Sequence, residues 1–325
     1  MYFQVQYIGV ECDTFKPAPG DKAMSQVLIS GFGDIGQRVA AIHLQRQDTV
    51  YALLRSSEKA AAVKASGIKP VLGNLDDLAS LADLPTKDSV LYHFAPPPFH
   101  GQTDDRIANL LTAIQTRLPR KVVLISTTAV YGDCHGQWIT ESTPAQPQSD
   151  RGKRRLHGEQ QLLAWGEQTG VPVVILRVGG IYGPDRLPVE RLKQGLPILK
   201  EALSPFTNRI HEDDLAMICV AAADKAPLTT HKNSTQKYAI YNVSDGKPGT
   251  MSRYFKDIAH ALGLPQPPEV DMEEAKKVLS AGMLSYLQES RRIDNRKLIN
   301  ELAVQLQYPD FATGLAVCVE RFGHA

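Results

Sequence analysis

From Val27 onward, short apolar runs alternate with stretches in which apolar residues recur every three or four positions. The runs predict strands at 27–30, 50–54, 68–72, 89–94, 121–127 and 172–178. The stretches between them predict helices at 34–45, 57–66, about 103–117 and about 152–168. Strands this short and this rich in Val, Ile and Leu, alternating with helices, suit a parallel sheet covered on both faces, so the expected class is a doubly wound α/β fold. After Gly183 the order loosens into a helical stretch at 188–195, an unassigned segment at 206–222, a strand at 238–243 and a helix at 251–262. A charged, helix-like tail follows at about 271–305, set apart by Pro265, Pro267 and Pro268. No internal repeat is visible.

Composition narrows the classes. Of 325 residues, 43% are hydrophobic and 22% charged, which describes a globular chain rather than a disordered one. Lys and Arg number 36 against 35 Asp and Glu, a formal net charge of +1, so the balance asks for no nucleic-acid partner. The basic run at Arg151, Lys153, Arg154 and Arg155 has no interleaved aromatics and reads instead as a pocket for an acidic ligand. Cys12, Cys134, Cys219 and Cys318 are far apart and form no CxxC pair, against a zinc knuckle or a disulfide scaffold. Neither an apolar span of membrane length nor a secretory leader is seen, so a cytoplasmic protein without a membrane partner is expected.

The first strand runs into Ser30-Gly31-Phe32-Gly33-Asp34-Ile35-Gly36, a G-x-G-x-x-G loop that opens the first helix. That context is the one a dinucleotide needs. Gly31 allows the tight turn, Gly33 clears room for a pyrophosphate, and Gly36 lets helix and strand pack closely, with the helix N-terminus facing the phosphates. The second strand ends Leu54-Arg55-Ser56-Ser57, where an NAD site would present Asp or Glu to the ribose. Arg55, with Ser56 or Ser57 as donors and Lys59 as a helper, favours the 2′-phosphate of NADP, with NAD the alternative. The expected organisation is a Rossmann-type dinucleotide domain at 24–183 and a smaller C-terminal substrate lobe at 184–325, part of which returns to the sheet. Residues 1–23 are read as an N-terminal arm.

Further residues complete a pattern: Asn74 after the third strand, His93-Phe94-Ala95-Pro96 after the fourth, Ser126-Thr127-Thr128-Ala129-Val130-Tyr131-Gly132 after the fifth, and Arg177-Val178-Gly179-Gly180-Ile181-Tyr182-Gly183-Pro184 after the sixth. With His211-Glu212-Asp213-Asp214-Leu215-Ala216 and Tyr241-Asn242-Val243, the chain resembles the extended short-chain dehydrogenase/reductase superfamily, in its NAD-dependent epimerase/dehydratase branch. The resemblance implies that Gly31, Phe32, Gly33, Asp34, Ile35, Gly36, Arg55, Ser56, Asn74 and Ala95 hold the cofactor and that Thr127 bonds the substrate oxygen. It also implies pairing through the helix at 152–168, a homodimer.

In that superfamily a Tyr-x-x-x-Lys pair moves the proton and holds the nicotinamide ribose. Anchored on Leu156 and Glu159, Arg151 takes the tyrosine position here and Arg155 the lysine position. An arginine with a pKa above about 12 cannot exchange a proton in each turnover. Arg155 can keep the electrostatic task, holding the ribose or polarising a carbonyl. Arg151, four residues earlier on the same face, would repel it unless an anion lies between, so the pair reads as an anion clamp. Tyr131 is the first candidate to replace the lost proton donor, ahead of Tyr182, His93 and His100. Arg209 is a candidate contact for an anionic substrate group, and His211-Glu212-Asp213-Asp214 is read as a helix start rather than a metal site. The expected function is an NAD(P)-dependent oxidoreductase or epimerase-like protein acting on a small anionic or sugar-like substrate; the alternative is an NADP-binding sensor or scaffold without turnover.

Overall fold

The computed structural model describes residues 24–226 and 237–323. The expected arm at 1–23 lies outside the described residues, with Cys12. Strand β1 (Gln26–Ser30) leads through helix α1 (Asp34–Gln45) to β2 (Thr49–Leu54), then α2 (Ala60–Ala65), β3 (Lys69–Leu72), β4 (Val90–His93), α3 (Asp105–Ala113) and β5 (Lys121–Thr127). Next come β6 (Trp138–Ile139), α4 (Asp150–Thr169), β7 (Val173–Val178), β8 (Gly180–Tyr182), α5 (Val189–Lys193), β9 (Ile198–Leu199), β10 (Phe206–Thr207), β11 (Arg209–His211), α6 (Glu212–Lys225) and β12 (Tyr238–Val243). The chain closes with β13 (Gly249–Thr250), α7 (Met251–Ala261), β14 (Glu269–Val270), α8 (Met272–Val278), α9 (Ala281–Leu287), β15 (Arg292–Ile293), α10 (Arg296–Leu302) and α11 (Phe311–Gly323).

Seven parallel strands form one sheet in the order β3-β2-β1-β4-β5-β7-β12, the doubly wound fold expected. The two-residue period of a strand explains why its runs are apolar throughout: Val27 and Ile29 of β1 face one layer while Leu28 faces the other, and Val123 and Ile125 of β5 oppose Val122 and Leu124. On the first face lie Val39 of α1, Leu215 and Ile218 of α6, and Leu298 and Leu302 of α10. On the second lie Ile107 and Leu110 of α3, with Leu162 and Trp165 of α4. Strand order reverses between β1 and β4, so a crevice opens at their carboxyl ends, where such folds bind ligands.

The lobe has its own core, built on Leu192, Ile198, Phe255, Ile258, Leu315 and Cys318. Four two-stranded ribbons tie it together, pairing β11 with β8, β13 with β10, β14 with β9 and β15 with β6. The helix-like tail predicted at 271–305 is in fact broken into α8, α9, β15 and α10. Ser280 caps α9 by accepting a hydrogen bond from Met283 N, and β15 is drawn out of any helix by its pairing with β6. The unassigned segment at 206–222 supplies β10, β11 and the first part of α6.

Helix α11 was not expected, because Gly314 and the valines of this stretch weaken its helical signal. It forms by docking. A Cβ at Gly314 would sit 2.0 Å from the Tyr182 hydroxyl, so only glycine lets the helix lie so close. Gly314→Ala is expected to cost about 1–3 kcal/mol through overpacking, read as a lower urea midpoint; an unchanged midpoint would mean that α11 does not rest on Tyr182.

Candidate functional site

At the phosphate end, the carbonyl of Ser30 accepts hydrogen bonds from Phe94 N at 2.7 Å and Ala95 N at 3.1 Å, pinning the ends of β1 and β4 together. Gly31 has φ +98°, and a Cβ there would lie 2.2 Å from Ala95 N, so the turn and this close approach both demand glycine. Gly36 packs against Gly31 O and Ile29 in the way helix–strand contact requires. The space a side chain at Gly33 would fill is open, with no atom within 4 Å, and no side chain caps α1. The loop therefore leaves the helix N-terminus free for a phosphate. Asp34 at the start of α1 is engaged by Arg38 at 3.2 Å and Arg186 at 3.0 Å, which also hold Glu212 beside it; despite burial, those cations and the Glu212 carboxyl keep Asp34 below the usual range.

From this loop a groove of about 430 Å³ runs toward the ends of β2 and β3. Gly31, Phe32, Gly33, Asn74 and Ala95 line it, and Arg55, Ser56 and Lys59 stand at its far end. Asp34, Ile35 and Gly36 lie behind it in the first turn of α1. Arg55 is exposed and makes no hydrogen bond or ion pair with the described residues. Arg106, which the sequence reading missed, closes the groove from α3: its guanidinium grips Asp76 at 2.7 and 2.8 Å and also donates to Pro96 O at 3.0 Å. No local signal marks it, because Arg106 meets the groove only through the packing of α3 beside the loops after β3 and β4.

The other half of the crevice depends on the seating of α4. Glu159 is buried at 1% exposure and accepts hydrogen bonds from Ser126 Oγ and from Arg177, whose Nε and Nη2 lie 3.1 and 2.7 Å from its Oε2. Gly152 and Gly158 bring the helix close, since a Cβ at either would lie under 3 Å from Ala129 O or Asp104 Oδ2 respectively. Arg155 then reaches the ends of β4 and β5, donating from Nη1 to Ala95 O at 3.3 Å and to Ile125 O at 3.2 Å. Burial pulls its pKa down, with Asp104 and Glu159 opposing. Thr127, half-buried at the end of β5, accepts from Ala129 N at 3.2 Å.

Several candidates are placed otherwise than expected. Arg151 and Arg155 do not face a common anion: Arg155 bonds main-chain carbonyls, whereas Arg151 Nη2 lies 3.2 Å from Glu289 Oε2 and its guanidinium stacks 3.6 Å over the Tyr286 ring. Tyr131 is 2% exposed, its hydroxyl donates to Asn242 Oδ1 at 2.7 Å, and Arg177 covers its ring at 4.8 Å. Burial pushes its phenol up rather than down, so its geometry suits packing and not proton transfer. Tyr182 is fully buried under α11, and burial raises its phenol as well. His93 bonds Ser30 Oγ at 3.1 Å; burial lowers its pKa to about 3 and keeps it neutral, with Nε2 unpartnered. His100 sits exposed in the loop beside Phe99.

His211 begins α6 as its cap, with Nδ1 accepting from Asp213 N at 3.2 Å and the ring against Tyr308. No cluster of three or more His, Cys, Asp or Glu that could hold a metal is found among the described residues. The Arg209 guanidinium stacks 4.0 Å over Tyr254 and makes no side-chain hydrogen bond among the described residues, while Asp245, whose N–H donates to Arg209 O and whose carboxyl feels the Arg209 charge, keeps one carboxyl oxygen buried and unpartnered. No helix among the described residues is long and apolar enough to cross a membrane.

Comparison with known proteins agrees with this geometry. The sequence model of the NAD dependent epimerase/dehydratase family matches residues 27–244. Over 301 residues the chain is 27% identical to Protein YeeZ of Escherichia coli strain K12, spanning 88% of this chain and 97% of that one. The structure of a functionally unknown conserved protein from Silicibacter pomeroyi is similar with a TM-score of 0.75 and 28% identity, over 92% of this chain and 99% of the other. The UDP-glucose 4-epimerase of Thermus thermophilus, solved in complex with NAD, shares the fold with a TM-score of 0.71 and 22% identity, over 92% and 99% of the two chains.

Burial pushes the Asp245 carboxyl up to about 7 from an ordinary 3.8. The folded chain therefore holds a proton there that the unfolded chain has released, and stability falls as pH rises from about 4 to about 7. Asp245→Asn lacks this titration, so the stability of the wild type relative to the variant should decline across that window in urea unfolding; a constant difference from pH 4.5 to 8 would sink the assignment.

Proposed function

The chain belongs to the NAD dependent epimerase/dehydratase family, and on that premise we propose that it is an NADP(H)-dependent oxidoreductase acting on a small carbonyl or hydroxyl compound that carries an anionic group. The observation that carries this is the groove whose open glycine cradle at Gly33 ends on an exposed Arg55 flanked by Ser56 and Lys59. An NAD site would place a carboxylate at that ribose, and none stands in this lining. The bound cofactor would supply or accept a hydride at its nicotinamide ring.

The chain's own residues then have separate tasks. The N–H groups at the start of α1 receive the pyrophosphate, and Arg55 with Ser56 grips the 2′-phosphate. Asn74 and Ala95 wall the groove. Arg155 holds a desolvated positive charge across the ends of β4 and β5, where it steadies the negative charge that develops on a substrate oxygen, with the Thr127 hydroxyl as a second donor. Arg155 keeps its proton throughout, and Tyr131 is spent on Asn242, so the proton that balances the hydride comes from solvent. The same commitment of Tyr131, Tyr182 and His93 to packing favours the second reading, a cofactor-binding protein without turnover.

Two measurements separate these outcomes. In calorimetric titration Arg55→Ala should weaken NADPH about 10-fold or more, the loss of a charged hydrogen bond to phosphate, and leave NADH nearly unchanged; equal losses for both would remove the 2′-phosphate assignment. With NADPH bound, turnover of a panel of carbonyl and sugar-nucleotide compounds should fall about 100-fold or more in Arg155→Ala while NADPH affinity is kept. If the wild type binds NADPH and turns over none of the panel, the non-catalytic reading stands instead.

A further inference from the structure

Arg151 occupies the place where the family resemblance expects a proton-passing tyrosine, and what surrounds it is unusual for a structural arginine. Two arginines of this fold take a carboxylate with the guanidinium fork, Arg177 on Glu159 and Arg106 on Asp76, each through Nε and Nη2, while others, Arg186 on Glu212 among them, make one contact. Arg151 donates one side-chain hydrogen bond, from Nη2 to Glu289 Oε2 at 3.2 Å, and its Nε and Nη1 are buried with no acceptor. Unpaired buried donors are costly, so this arginine is under-satisfied where it lies. Glu289, by contrast, is fully engaged, with its side chain 4% exposed, and accepts from Ser149 Oγ at 3.0 Å and Arg291 Nη2 at 3.0 Å as well.

Both groups that cover Arg151, the Tyr286 ring and the Glu289 carboxylate, come from one short stretch at the end of α9 and just beyond it. Tyr286 is itself 52% exposed over the start of α4, while Leu287 beside it anchors the stretch in the lobe core. Beneath it, Arg151 and Arg155 lie four residues apart on one face of the helix.

We infer that Arg151 is a receptor for a substrate carboxylate, that Glu289 is its resident stand-in, and that residues 281–289 are a strap displaced when a carboxylate-bearing ligand enters. The ligand class is the small carboxylate, whose planar group fits the fork of Arg151 in place of Glu289, and pyruvate serves as its probe. This deepens the proposed function and rests on the crevice beside Thr127 and Arg155 taking the substrate.

The test uses the full chain saturated with NADPH and titrated calorimetrically with pyruvate, with inorganic phosphate as the second probe. Pyruvate should bind the wild type weakly, bind Tyr286→Ala and Glu289→Gln at least tenfold more tightly, and fail to bind Arg151→Gln. In the wild type, pyruvate should also speed hydrogen exchange of amides in 281–291, which a purely structural Arg151 would not produce. Equal pyruvate affinity in the wild type, Tyr286→Ala and Arg151→Gln overturns the inference, as does a loss confined to Arg209→Gln. The same pattern with phosphate overturns the carboxylate assignment. Should Glu289→Gln not fold, Tyr286→Ala, which removes only a half-exposed ring, decides alone. Absence of NADPH binding in every variant would instead strike the proposed function, and pyruvate binding dependent on Arg151 would still be readable without it.

Discussion

Glu159 shares its two carboxylate oxygens between Ser126 at the end of β5 and the guanidinium of Arg177 at the end of β7, and 1% of it is exposed. Its side chain rises from the middle of α4, so three elements are locked together by one buried charge pair. Such a pair adds little net stability, but breaking it by removing one partner strands a charge in the interior at a cost of about 3–5 kcal/mol. The pair thus acts on register: one helical turn before Glu159 is Arg155 over the strand ends, and a turn earlier is Arg151 under its cover. Arg177 also lies over the Tyr131 ring, so the same cation fixes the loop after β5 in place.

The layered fold was legible because both of its periodicities are written in the chain. β1, β5 and β12 run close to their predicted bounds; for β1 and β5 the reason is an unbroken Val, Leu and Ile run that has few other ways to be buried. The glycine loop was equally legible, though for Gly31 the reason proved to be twofold, a left-handed turn and the backbone of Ala95 pressed against it. What could not be read were relations between distant segments. The grip of Arg106 on Asp76 spans 30 positions and that of Arg151 on Glu289 spans 138, and no pattern within a window reports either. The tail looked like continuous helix because its charges and apolar residues fit that period; β15 shows that a partner strand outweighed the local preference.

The two halves of the crevice differ in kind. The groove half is made of main chain, glycine and cations at its rim, with Arg106 locked on Asp76 and Arg55 exposed. The other half is crowded with side chains already engaged with one another: Tyr131 with Asn242, His93 with Ser30, Arg155 with two carbonyls. An arginine at position 151 makes a demand on more than one group. A permanent cation needs a permanent counter-charge, and Glu289 answers that need from the far end of the chain.

The ribbons of the lobe carry a consequence for the order in which the molecule is assembled. Strands β1 to β5 and the glycine loop are complete by Thr127, and all of their pairings, up to that of Val27 with Val90, close within that stretch. The ribbon of β6 with β15 joins Trp138 and Ile139 to Arg292 and Ile293, and the β9 ribbon waits for Glu269 and Val270. Non-local pairs of this kind form late, because the intervening chain must first be closed into a loop. On a ribosome the nucleotide groove would therefore have its wall in place while the segment that covers Arg151 was still unmade. A growing chain could hold its cofactor long before its other pocket has a roof.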